Sequence, residues 1–140
     1  MNKIINLISL AAITISIVSM MASQAKAQSL SESLSESRDE IVIKLKNKGD
    51  ALKTEIANTD LTGTGQVERL INKVYFYEGQ VLGIGGGTWT YLHEVQDALL
   101  AKIKATGQSG FTVPEQAAID SFANSVTQSK QEHPSSDVLG

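Results

Sequence analysis

Apolar residues between positions 30 and 56 recur at alternating steps of four and seven residues. This eleven-residue period, about 3.67 residues per turn, is typical of a nearly straight amphipathic α-helix. The pattern predicts one long helix from about Leu30 to Asn58. Gly49 interrupts it, at a cost of roughly 1 kcal/mol relative to alanine. The members of the series are Leu30, Leu34, Ile41, Leu45, Leu52 and Ile56.

The next segment, residues 67–82, is open to two interpretations. Valine, leucine and isoleucine recur in it at helical spacing, which predicts a second helix, and Thr64 in the preceding loop is suited to cap that helix. Residues 74–77 are rich in strand formers, however, and a Glu-Gly pair follows them. A short β-hairpin around 73–84 is therefore the alternative.

Two more amphipathic helices follow. The third is predicted between Thr88, as its N-cap, and Gly107, a natural C-terminal stop. The fourth begins at Thr112, which can form a capping box with Glu115, and ends near Lys130. Residues 133–140 are polar and are predicted to be a disordered tail.

Four amphipathic segments joined by short loops predict an all-α fold, a small antiparallel bundle of about four helices spanning residues 28–132. The chain contains no cysteine. Burial of apolar side chains, rather than disulfide bonds, must therefore stabilise the bundle. The same absence excludes thiol catalysis and zinc–thiolate sites.

The chain begins with the three parts of a secretory signal peptide, residues 1–27. Lys3 provides a basic start, residues 4–21 are uncharged and largely apolar, and Ala25-Lys26-Ala27 is a small-residue cleavage site. Cleavage after Ala27 predicts a periplasmic or secreted protein. The alternative is a retained N-terminal helix that anchors the protein in a membrane, because the apolar stretch approaches the roughly 20 residues that a spanning helix needs.

Charge argues against one class of partner. Removing residues 1–27 from the 140 leaves ten basic residues against fifteen acidic ones. Nucleic-acid binding requires clustered lysine and arginine side chains that contact phosphates. We therefore expect no nucleic-acid partner.

Aromatic residues cluster on both sides of a glycine-rich break. Five of the seven aromatic residues lie between positions 75 and 91. Tyrosine and tryptophan combine an apolar body with a polar tip, which suits protein-binding surfaces. The predicted contact residues for a partner are Tyr75, Tyr77, Trp89 and Tyr91. The break itself predicts a flexible or tightly turned loop at Gly83, Gly85, Gly86 and Gly87.

His93 and Asp97 are weak candidates for a metal site. They lie four residues apart on the third helix, with the spacing of an H-E-x-x-H zinc motif in which aspartate replaces the second histidine. A metal would need further ligands, and the only other histidine is His133 in the predicted tail. We predict no metal or other cofactor, and no nucleophile motif such as G-x-S-x-G is present.

Together these features predict an exported, non-catalytic helical protein that acts by protein–protein interaction. It would serve as an adaptor, a secretion-associated component or an accessory subunit, with another protein or a second copy of itself as partner. Two alternatives stay open. One is a membrane-associated protein held by the retained N-terminal helix, and the other is a metal-binding protein or enzyme that uses His93 and Asp97.

Overall fold

A computed structural model describes the backbone of residues 27–135 and the side chains of residues 37–135. Four α-helices and no β-strand are present in this part of the chain: α1 (Ala27–Asn58), α2 (Gln66–Ile84), α3 (Trp89–Thr106) and α4 (Val113–Glu132). The predicted all-α bundle is confirmed. The alternative of a β-hairpin around 73–84 is wrong, because these residues belong to a single helix.

The signal-peptide prediction falls on residues that lie almost wholly outside the described range, so it stays a prediction. The same holds for the retained-anchor alternative. Within residues 27–135, none of the helices is both long and apolar enough to cross a membrane.

The chain consists of two compact units, Met1–Ile41 and Val42–Gly140, within each of which the residues contact one another. The described residues of the first unit form the N-terminal part of α1. The second unit contains the remainder of α1, the other three helices and the apolar core. Burying one aliphatic or aromatic side chain stabilises the fold by about 1.5–3 kcal/mol, so the core residues supply the main force that assembles these helices. Fully buried residues include Ile56, Leu70, Leu92, Leu99 and Phe122.

The apolar series of α1 is only partly used for this core. Leu45, Leu52 and Ile56 are buried, whereas 41% of the surface of Ile41 is exposed. Ile43, which stands outside the series, is 58% exposed. Among the residues whose side chains are described, 37–135, none covers this apolar surface of α1.

The N-terminal caps predicted from the sequence are present at one helix and absent at another. At α4 the predicted capping box is confirmed: the backbone N–H of Glu115 donates to the Thr112 hydroxyl at 3.4 Å, and the Thr112 N–H donates to the Glu115 carboxylate at 2.9 Å. At α2 the predicted cap by Thr64 is wrong. Gly65 takes that position with φ of 71°, so the backbone turns into the helix without a side-chain cap.

Thr88 precedes α3, as predicted, but it does not cap that helix through its side chain. Its hydroxyl instead donates to the carbonyl oxygen of Gly85 at 2.6 Å. This bond closes the turn between α2 and α3, so the threonine stabilises the turn rather than the first turn of the helix.

Candidate functional site

The four aromatic residues predicted to contact a partner do not form one surface. Tyr77 is a core residue, only 3% exposed, and its hydroxyl donates to the carbonyl oxygen of Leu45 at 2.5 Å. Burial raises the pKa of Tyr77 to about 12, so the phenol stays protonated as a donor. Tyr77 therefore joins α2 to α1, and its role as a partner contact stays a prediction.

Trp89 and Tyr91 also pack inside the bundle. The Trp89 indole is buried and stacks on the His133 ring, with centroids 3.6 Å apart and planes 1° from parallel. Tyr91 is half-buried against the core. Tyr75 lies at the surface. Its ring meets the ring of Phe122 edge-on, with the two ring centroids 5.8 Å apart. Only Tyr75 of the four is substantially accessible.

The glycine-rich break is a tight turn rather than a long flexible loop. Gly83 lies within the last turn of α2, which continues to Ile84. Gly85 and Gly86 have φ values of 71° and 62°, in the left-handed region that favours glycine. Gly87 belongs to the short 3₁₀ turn that leads into α3. The sequence located the break correctly but placed its start two residues early.

The most exposed aromatic residue of this region is Phe76, which was not among the predicted contacts. Its side chain is 57% exposed and lies on a groove between α1 and α2, about 600 Å³ in volume. The floor of this groove is mostly apolar. Its apolar lining consists of Ala51 and Leu52 from α1 with Phe76 and Tyr77 from α2.

Charged residues surround this apolar floor unequally. Three cations, Lys48, Arg69 and Lys73, and one carboxylate, Glu55, line the groove. Lys73 donates to Glu55 at 2.8 Å and Arg69 also donates to it, and these two hydrogen bonds lower the pKa of that carboxyl. Lys48 has no ion-pair partner within residues 37–135. The groove is thus apolar at its floor and positively charged at its rim.

A second, polar cluster lies where α2, α3 and the C-terminal end of α4 meet. It borders a small cavity of about 190 Å³ lined by Glu78, Trp89 and His133, among others. The buried His93 ring contacts the carbonyl oxygen of His133 through Nε2 at 2.6 Å and Gln96 Oε1 through Nδ1 at 3.0 Å. Gln96 Nε2 in turn donates to Glu78 Oε2 at 3.3 Å. These bonds hold the end of α4 against α3.

The carbonyl oxygen of His133 can only accept a hydrogen bond, so Nε2 of His93 donates to it. The side-chain amide of Gln96 lies between His93 and Glu78 and contacts both. Burial is the main cause that raises the pKa of Glu78, reinforced by the nearby Glu132 and opposed by His133 and His93.

His93 and Asp97 do not act together. Asp97 accepts a hydrogen bond from Lys130 at 2.5 Å, while both ring nitrogens of His93 have partners in the polar cluster. Within the described residues, no group of three or more histidine, aspartate or glutamate side chains is placed to hold a metal ion. The geometry gives these two residues structural contacts rather than a shared ligand.

His133, the first residue of the predicted tail, contacts the helical domain. It caps the C-terminal end of α4, with its N–H donating to the Ser129 carbonyl at 2.9 Å, and its ring stacks on Trp89. Residues 136–140 lie outside the described range, so the disordered tail predicted for residues 133–140 stays a prediction.

The groove was not predicted, although one signal for it exists in the sequence. Tyr75, Phe76 and Tyr77 are adjacent, and a helix cannot bury three consecutive side chains on one face. At least one of them has to point away from the core, and the structure identifies it as Phe76. The contribution of Lys48 and Ala51 depends on how α1 packs on α2, which the spacing of residues does not reveal.

Comparison of the chain with protein-family models, curated proteins and solved structures gives no significant match.

Proposed function

We propose that this chain is an exported, non-catalytic protein that binds a protein partner in the groove between α1 and α2. The observation that carries the proposal is the exposed Phe76 side chain beside an apolar floor. Water in contact with this surface would be released when a partner covers it. This release contributes about 25 cal/mol per Å² of apolar area before the entropy cost of association is subtracted. Large aromatic side chains are frequent anchors of such interfaces.

The charges of the groove support a particular kind of partner. Lys48, Arg69 and Lys73 outnumber Glu55, and two of these cations are already bound to that carboxylate. An amphipathic helix that combines apolar and acidic side chains would complement both the floor and the rim. Helices of this kind commonly bind in a groove between two helices.

The polar cluster supports a structural role for the residues that first suggested metal chemistry. Glu78, Gln96 and His93 are bonded to one another and to the end of α4. These contacts connect three helices of the bundle, so we assign the cluster to the fold and the groove to function. The leader-like residues 1–27 support export, with the periplasm or the exterior as destination.

A site-specific photo-cross-linking experiment tests this proposal. A photoreactive side chain replaces Asn72, which lines the groove and is exposed, and the protein is irradiated in the exported fraction. The matched control carries the same group at Val113, an apolar residue that is 83% exposed and lies at the start of α4. We expect an adduct with one defined protein from position 72 and none from position 113.

A second substitution shows whether the apolar floor is responsible. Phe76→Ala in the Asn72 photoreactive variant should reduce the adduct about tenfold, as expected for the loss of an interface anchor. Circular dichroism must first show that both variants keep their helical content. Equal adducts from positions 72 and 113, or an adduct that Phe76→Ala leaves unchanged, would contradict the proposal.

A further inference from the structure

We propose that the groove between α1 and α2 receives residues 28–37 of a second copy of this chain, so that the protein self-associates through its own N-terminal segment. This inference rests on the proposed function, because it names the occupant of the same groove. It follows from two independent properties of the segment and the groove: charge and repeat length.

Charge complementarity is the first argument. The groove has three cations and one carboxylate, and Lys48 has no ion-pair partner within residues 37–135. Residues 28–37 contain Glu32 and Glu36 and no lysine or arginine. The acidic segment therefore matches the positive rim, and such complementarity favours this pairing over a basic partner.

Length and pattern are the second argument. Residues of α1 from Lys48 to Glu55 line the groove, which corresponds to about two turns of helix, or roughly 11 Å. The backbone of residues 28–37 is helical, and its sequence repeats leucine after four residues, at Leu30 and Leu34, which is close to the length of one helical turn. Serine stands at five of the ten positions, and side chains this small let another helix approach closely.

Cross-linking between single-cysteine variants tests the inference. Because the chain has no cysteine of its own, each variant carries one reactive thiol at a known position. Leu34→Cys is mixed with an affinity-tagged Ala51→Cys chain, and a short bifunctional maleimide is added. The control mixture pairs Leu34→Cys with Val113→Cys, at a position that is 83% exposed. We expect the tagged 34–51 heterodimer to form at least about tenfold faster than the 34–113 product, and sedimentation of the unmodified chain to show a dimer.

Charge reversal supplies a second readout that does not depend on cysteine. Glu32→Lys combined with Glu36→Lys should weaken the dimer about fivefold or more and should leave the helical signal unchanged. Mixing this variant with Lys48→Glu chains should restore association, whereas mixing it with Lys104→Glu chains should not.

The outcomes separate this inference from the proposed function. A monomer in sedimentation, or equal rates for the 34–51 and 34–113 pairs, overturns self-association. If the Asn72 photoreactive variant then forms an adduct with a different protein, the groove is a binding site with a foreign occupant. If it forms no adduct, both proposals fail.

Discussion

The hydroxyl of Tyr77 fills the space that a side chain at position Gly49 would occupy. A Cβ atom on Gly49 would lie 2.7 Å from the Tyr77 oxygen and 3.2 Å from its Cζ atom, both closer than ordinary contact. The oxygen is held there because it donates to the carbonyl of Leu45, one turn earlier on α1. A glycine that weakens α1 locally thus allows α2 to approach.

This relationship predicts that Gly49→Ala destabilises the protein, although alanine is the better helix former by about 1 kcal/mol. The added methyl group must displace Tyr77 and break its hydrogen bond, which should cost about 1–3 kcal/mol net. Urea unfolding followed by circular dichroism measures the change. The Tyr77→Phe background removes the oxygen and should reduce the cost of Gly49→Ala; additive effects in the double variant would show that the two residues are not coupled.

The raised pKa of Glu78 predicts a pH-dependent stability. Because burial favours the protonated carboxyl in the folded state, the stability from this group is present below its ordinary pKa of 4.5 and is lost as pH rises through the folded pKa. Glu78→Gln should therefore raise the melting temperature relative to wild type at pH 7. The difference should shrink as pH falls below 4.5.

The control for this experiment is Glu94→Gln on the exposed side of α3, where the carboxylate pairs with Lys53 at 2.9 Å. The melting temperature of this variant should not exceed that of wild type at pH 7. A melting-temperature difference for Glu78→Gln that is constant between pH 4 and pH 8 would indicate that the carboxyl is not the titrating group.

Removing His93 should loosen the C-terminal end of α4. His93→Leu removes the partner of Gln96 Oε1 and that of the His133 carbonyl oxygen, which should cost about 1–3 kcal/mol. Hydrogen exchange should rise in the last turn of α4 more than at its capped N-terminus. Exchange that increases equally along α4 would show that the histidine acts on the whole bundle.

The capping box at the start of α4 predicts a local effect of known size. Thr112→Ala removes the acceptor for the Glu115 N–H and should destabilise the protein by about 1 kcal/mol. Thr127→Ala is the matched control, because that hydroxyl is exposed and only donates to a carbonyl within α4. Chemical denaturation of the two variants should give clearly different midpoints, and equal midpoints would exclude the cap as the cause.

Local patterns predicted the fold class and most helix bounds, because helical periodicity and the Thr112 capping box depend on neighbours in sequence. They did not predict the groove, because the positions of Lys48 and Phe76 relative to one another depend on how two helices pack. The burial of Tyr77 likewise depends on Gly49, 28 residues earlier. The aromatic cluster was correctly located, but composition alone could not distinguish core rings from exposed ones.

The stacking of His133 on Trp89 gives the protein a natural optical probe. Trp89 is the one tryptophan in the chain, so all indole fluorescence comes from the place where α4 ends. Separation of the imidazole from the indole would change the emission without any attached dye. Detachment of this helix end can therefore be followed in real time on the unmodified protein, independently of events at the groove.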